Sequence, residues 1–161
     1  MVAQPFKSTI LDIQSLQQRY AKSAQVGALA KLLRTSTRGT VYADGLVGSS
    51  APLVFAALAD SVPSTFAFIL QDEDEAGYFY HDLQQIKGDD EVFFFPSSFK
   101  RAVKYGQRDS ANEILRTEVL TRLSTHADAA APLLVVSYPE ALAEWVVAKQ
   151  QLNERRLSLN V

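Results

Sequence analysis

The stretch Thr65–Phe95, TFAFILQDEDEAGYFYHDLQQIKGDDEVFFF, decides the fold. Its first part, Thr65–Leu70, is a nearly continuous apolar run. It is short and rich in β-formers, as a strand covered on both faces should be. Asp72 is placed to cap a helix, with Glu75 three residues later in the capping-box position. The buried stripe of that helix is predicted to be Ala76, Phe79, Tyr80, Leu83 and Ile86, and Gly88 ends it. Glu91–Phe95 (EVFFF) reads as a second buried strand, stopped by Pro96. A strand, a helix and a strand of this kind make a βαβ unit, which implies a parallel sheet with right-handed connections.

The same alternation extends outward. Upstream, a short strand is expected at Thr40–Ala43, running into a glycine loop and then a helix with Val54, Ala57 and Leu58 on one face. Before it, residues 8–34 read as helical, with Ile13, Leu16 and Tyr20 on one face and Val26, Leu29 and Leu33 on another. Gly27 either marks a break between two helices or merely weakens one, and Ser36, Thr37 and Gly39 form a loop. Downstream, residues 97–109 are a polar, basic connection, followed by a helix over about 110–123 with Ala111, Ile114, Leu115, Val119 and Leu123 inward. Ala127–Ala131 is a small-residue linker, Pro132–Val136 another strand, and Ser137 a cap for a helix that turns Leu142, Trp145 and Val146 to the core. The expected fold class is α/β, a mainly parallel sheet with strands near 40–43, 65–70, 91–95 and 132–136 and helices on both faces. Three parts are expected: a helical segment over 1–38, the α/β lobe over 39–151, and the start of a following subdomain over 152–161. The alternating close, Arg155 to Val161, reads as a strand, so the chain is expected to be the first part of a longer protein.

Composition narrows the function. The 161 residues suffice for one domain with a real core. A formal net charge of −2 excludes an electrostatic nucleic-acid binder acting over its whole surface, so such a contact needs a local patch. The absence of cysteine removes disulfides, thiolate metal sites and cysteine nucleophiles. No stretch approaches the ~18 apolar residues of a membrane span, and residues 1–20 lack a signal-peptide core. The expected location is the cytoplasm.

In a parallel α/β sheet, ligands sit beyond the carboxyl ends of the strands. The turn after the first expected strand is Gly45-Leu46-Val47-Gly48-Ser49-Ser50-Ala51-Pro52. Laid on the phosphate-loop pattern G-x-x-x-x-G-K-[ST], Gly45 takes the first glycine, Ser50 the second, Ala51 the lysine and Pro52 the Ser/Thr. Ala51 has no ammonium for the β- and γ-phosphates. Pro52 has neither a hydroxyl for Mg²⁺ nor an N–H to donate. Ser50 adds a Cβ where glycine lets the backbone approach phosphate. Each charge-assisted hydrogen bond lost costs about 1.5–3 kcal/mol. No ATP binding, no cofactor and no metal are therefore expected, although Pro52 suits the first turn of a helix. The plainer alternative is that GLVGSS is only a Gly/Ser turn before a helix.

Other chemistry is sparse. Lys100, Arg101, Lys104 and Arg108 form a basic cluster interleaved with Phe99 and Tyr105. It reads first as a solvated loop with Phe99 anchored in the core, and its functional alternative is contact with nucleic acid or an acidic partner. Arg155 and Arg156 are candidates for the edge of a partner surface. His81 and His126 lack ligand-spaced companions, and the carboxylates of Asp72–Glu75 are suited to capping and to the helix dipole. Glu140 is expected in a first helical turn rather than as the metal-holding acid of an NTPase. Phe93, Phe94, Phe95 and Trp145 are expected in the core.

Taken together, GLVGSSA from Gly45, FAFILQDEDEAGYFYHDLQQI, VFFFP, the Asp109–Leu123 helix with SANEILRTEVLTRLS, and LLVVSYPEALAEW resemble one family. This is the amino-terminal module of bacterial transcription-repair coupling factors, similar to the first lobe of the excision-repair protein UvrB but with a lost ATP site. The likeness spans roughly residues 40–150. It implies a degenerate RecA-like, P-loop helicase lobe without catalysis of its own. The parent would be a DNA-dependent ATPase that displaces stalled RNA polymerase and recruits UvrA. It also implies that UvrA docks mainly on the subdomain after residue 152, and that RNA polymerase and DNA bind further domains. The family's Leu-Pro-Tyr element after the strand ending at Pro96 is replaced here by SSFKRAVKYG, residues 97–106. The rival expectations are a nucleotide-binding NTPase domain with an atypical loop and a stand-alone α/β interaction protein.

Overall fold

A computed structural model describes residues 12–35, 38–99, 108–126, 132–148 and 151. The Ala127–Ala131 linker, Ser36 and Thr37, most of the basic cluster, and residues 1–11 and 152–161 with Arg155 and Arg156 lie outside them.

Among the described residues the protein is α/β. It has helices α1 (Ile13–Ala21), α2 (Ala24–Thr35) and α3 (Ser50–Ser61), strand β1 (Phe66–Ile69), helix α4 (Glu73–Lys87), strand β2 (Val92–Phe95), helix α5 (Ser110–Thr125), strand β3 (Leu134–Ser137) and helix α6 (Pro139–Leu142). The three strands form one wholly parallel sheet in the order β1-β3-β2. β3 is central, and its Val136 lies between Phe68 and Phe94 in register.

The βαβ unit forms as its residues dictate. Asp72 accepts a hydrogen bond from the Glu75 N–H at 2.9 Å, and Glu75 accepts one from the Gln71 N–H at 3.2 Å. Ala76, Phe79 and Leu83 are buried, with Tyr80 and Ile86 packed at the margin of the core. Gly88 follows α4 with φ 92°, a left-handed conformation that glycine adopts without penalty. Lys87 then ties three elements together, 2.6 Å from Asp60 at the end of α3 and 2.8 Å from Glu91 before β2.

Side-chain alternation along β2 assigns the layers. Phe94 meets Tyr80 of α4 with ring centroids 5.2 Å apart. Its neighbours Phe93 and Phe95 point the other way, beneath Arg122 and Arg116 of α5. Helices α4 and α5 therefore cover opposite faces. On the α4 side, Phe68 of β1 packs on Phe55 and Phe79. On the α5 side β1 is bare, with Ala67 exposed and Ile69 51% exposed. The expectation of helices on both faces thus holds for β2 and β3 and fails for β1, because α5 lies over β2.

Helix α3 is buried nearly all round: Pro52, Val54, Ala56, Ala57, Leu58 and Ala59 are all buried. Its alanines let neighbours approach closely, so it serves as the centre of a helical layer rather than as a surface helix. Val26 and Ala30 of α2 complete a second apolar cluster with Val54, Ala57, Leu58 and Val62.

Three further expectations need correction. Thr40–Ala43 is not a sheet strand; Val41 and Ala43 instead line a hollow with Leu29 and Leu32 of α2. Of the two readings of Gly27, the second holds: it lies within α2, and the break falls at Lys22 and Ser23, where the Ser23 N–H turns back to the Tyr20 carbonyl. In α5, Val119 is buried and Leu115 half-buried, but Ala111, Ile114 and Leu123 are exposed, and the inward positions go to Arg116 and Leu120. Ser137 ends β3 and donates to the Phe95 carbonyl at 2.8 Å, so Tyr138 is the cap of α6. That helix stops at Leu142, which leaves Leu142 49%, Trp145 100% and Val146 49% exposed. No helix of the described residues is long and apolar enough to cross a membrane.

Candidate functional site

The glycine loop turns on two glycines and leads directly into α3, with no sheet strand before it among the described residues. Gly45 and Gly48 hold φ values of 80° and 54°, which glycine supplies without strain. The Gly45 N–H donates to Asp44 Oδ1 at 2.7 Å. Helix α3 starts at Ser50, so Ser50, Ala51 and Pro52 fill its first turn, and the buried Pro52 sits where no intrahelical N–H is needed. A helix N-terminus binds anions through its leading N–H groups. Here the Ser50 N–H is already spent on the Val47 carbonyl at 3.2 Å, and Pro52 has none.

Electrostatics also oppose phosphate. The loop borders a hollow of about 570 Å³ beside the carboxyl end of β1. Its acidic lining groups are Glu75 and Asp82 from α4, and among the described residues no lysine or arginine lines it. Opposed carboxylates raise the cost of bringing in a triphosphate that already lacks its lysine. Sequence spacing alone could not reveal these two acids, because they reach the loop across the helix layer.

Beyond β2 and β3 the strand ends are occupied by a polar cluster that the sequence did not announce. Arg116 is buried on α5. Its Nη1 donates to the carbonyls of Pro96 at 2.7 Å and Ala141 at 3.0 Å, and its Nη2 lies 3.6 Å from Glu144 Oε2. Glu144 accepts from the hydroxyls of Ser97 and Ser98, each at 2.5 Å, and from the Ser98 N–H at 3.0 and 3.1 Å. Burial pushes the Glu144 carboxyl up, but the Ser97 and Ser98 hydrogen bonds and the Arg116 charge outweigh it and hold it below the ordinary carboxylate value. Burial likewise lowers Arg116, against Glu144, which raises it. Ser97 is itself fixed, its N–H to the Tyr138 hydroxyl at 2.9 Å and its carbonyl to Asn112 Nδ2 at 2.8 Å. The only foreshadowing was the chemical oddity of an arginine on a helix face otherwise read as apolar.

Of the basic cluster, Arg108 is described and exposed, 2.8 Å from Glu113. Lys100, Arg101 and Lys104 lie outside the described residues. The base of their loop is pinned by an antiparallel bridge between Phe99 and Arg108. Phe99 is 43% exposed, so it does not anchor the loop in the core as expected. His81 is exposed on α4, and no cluster of potential metal ligands occurs among the described residues. Compared with protein-family models, curated proteins and solved structures, the chain finds no match.

Proposed function

We propose that this chain is a non-catalytic interaction module of the kind that opens a transcription-repair coupling factor, a UvrB-like lobe of RecA type whose phosphate loop has been retired. One observation carries the proposal. The loop holds Gly45 and Gly48 at positive φ and leads into a helix, while Ser50, Ala51 and Pro52 occupy the second-glycine, lysine and metal-ligand positions. Glu75 and Asp82 add a charge barrier to the adjoining hollow. A turn that persists without its chemistry fits a lobe kept as a scaffold.

Under this proposal the lobe packs against other domains of its parent chain, and UvrA docks mainly on the region after residue 152. A stable interface needs about 800 Å² per partner. Charge contacts made by Arg155 and Arg156 would add only about 1 kcal/mol or less each. The test is a pair of titrations against UvrA, one with this chain and one with a longer protein extended through the next region. The longer protein should bind and this chain should bind weakly or not at all. Absence of binding by both would end the assignment.

A further inference from the structure

We propose that Ser97, Ser98 and Arg116 form a carboxylate-binding site at the carboxyl ends of β2 and β3, occupied in this conformation by the chain's own Glu144. The proposal is independent of the family reading and concerns a different part of the fold from the glycine loop.

The receptor half is built on fixed elements. Ser97 and Ser98 directly follow β2 and Pro96, and Ser97 is clamped by Tyr138 and Asn112. The Ser98 carbonyl receives the Asp109 N–H at 2.8 Å, which closes the loop onto the start of α5. Arg116 stacks over Phe95 with its guanidinium carbon 4.1 Å from the ring centroid. Its Nη1 is held by two carbonyls, while Nη2 is buried and has no hydrogen-bond partner among the described residues. Two hydroxyls, one N–H and this half-used guanidinium converge on a single point, an arrangement suited to a planar oxyanion.

The occupant half is held differently. Glu144 stands past the end of α6, in irregular chain, next to a fully exposed Trp145 and the half-exposed Val146 and Val147. Apart from its carboxylate, this stretch shows little apolar anchoring. A rigid receptor thus grips a loosely carried ligand, and the carboxyl ends of parallel strands are where this class of fold places ligands. Charge selects the class of anion. One guanidinium balances one negative charge, so a carboxylate is matched and a phosphate dianion is left undercompensated.

The test removes the occupant. Glu144→Ala is made in the full chain and titrated with sodium acetate, with sodium phosphate and sodium chloride at equal ionic strength. Melting and calorimetry report binding. The anisotropy of Trp145, the single tryptophan of the sequence, reports release of the segment. Acetate should stabilise Glu144→Ala, phosphate should bind at least about tenfold more weakly, and adding Ser98→Ala should weaken acetate about tenfold. If Glu144→Ala is unfolded alone, acetate should restore a cooperative melt where chloride does not. A Glu144→Ala protein indifferent to acetate, or one that takes phosphate as well as acetate, overturns the proposal.

Discussion

Arg116 lies flat over Phe95, its guanidinium carbon 4.1 Å from the ring centroid, and so joins α5 to the end of β2 through a buried cation. Removing that cation leaves the Pro96 and Ala141 carbonyls without a donor and Glu144 without a countercharge. Breaking a buried pair from one side costs about 3–5 kcal/mol. Arg116→Ala should lower stability by that order in urea or guanidinium unfolding. Arg116→Lys should recover only part of it, since an ammonium can neither stack nor fork in the same way. A loss under about 1 kcal/mol for Arg116→Ala would show that the cluster does not bind the layers together.

Glu144 gives the protein a pH dependence of definite sign. Its folded-state pKa is held below the ordinary value, so its contribution is present above the unfolded pKa of about 4.3 and is lost as pH falls below it towards the folded value. Wild type should therefore exceed Glu144→Gln in stability by a constant margin near neutral pH. The margin should shrink on acidification below about pH 4.3. Paired denaturant titrations across that range measure it, and a margin that grows in acid would contradict the assignment.

The two ends of the burial scale make a further contrast. Leu83 is fully buried in the main core and Trp145 is fully exposed. Leu83→Ala should cost about 2–5 kcal/mol through lost burial and a cavity. Trp145→Ala should stay within about 0.5 kcal/mol of wild type. Equal losses in thermal unfolding would be inconsistent with this placement of Trp145.

The glycine loop makes a fourth prediction. Millimolar ATP with Mg²⁺ should leave the melting curve unchanged, whereas a ligand at 100 times its Kd adds about 2.7 kcal/mol. The triple change Ser50→Gly, Ala51→Lys and Pro52→Thr should still give no hydrolysis, because Glu140 sits in the first turn of α6 and no cluster of metal-ligating acids occurs among the described residues. Turnover by the wild-type chain would refute the dead-loop interpretation.

The parts legible in the sequence are those fixed by short-range chemistry. Asp72 with Glu75, the stripe from Ala76 to Leu83, and the runs around Phe68, Phe94 and Val136 each carry their own signal, and each forms close to where it was expected. Thr40–Ala43 has the same β-prone look, but no sheet neighbour takes it up. Apolar spacing also misled at Ile114 and Trp145. Period alone cannot tell which face of α5 finds a partner, nor that α6 would end after one turn. That Gly45–Pro52 is a glycine turn entering a helix was readable because its signals lie in consecutive residues. The Arg116–Glu144 cluster was not, because it assembles from three separated segments.

The strand order has a temporal consequence. β3 hydrogen-bonds to both β1 and β2, yet it is the last of the three to be synthesised. At a translation rate of about 5–20 residues per second, the phenylalanines of β1 and β2 exist for seconds before the strand that joins them has been made. Long-range parallel pairing of this sort is slow to close. A nascent chain halted before Leu134 should thus hold its helices but no sheet, leaving two unpaired aromatic strands for a chaperone to shield.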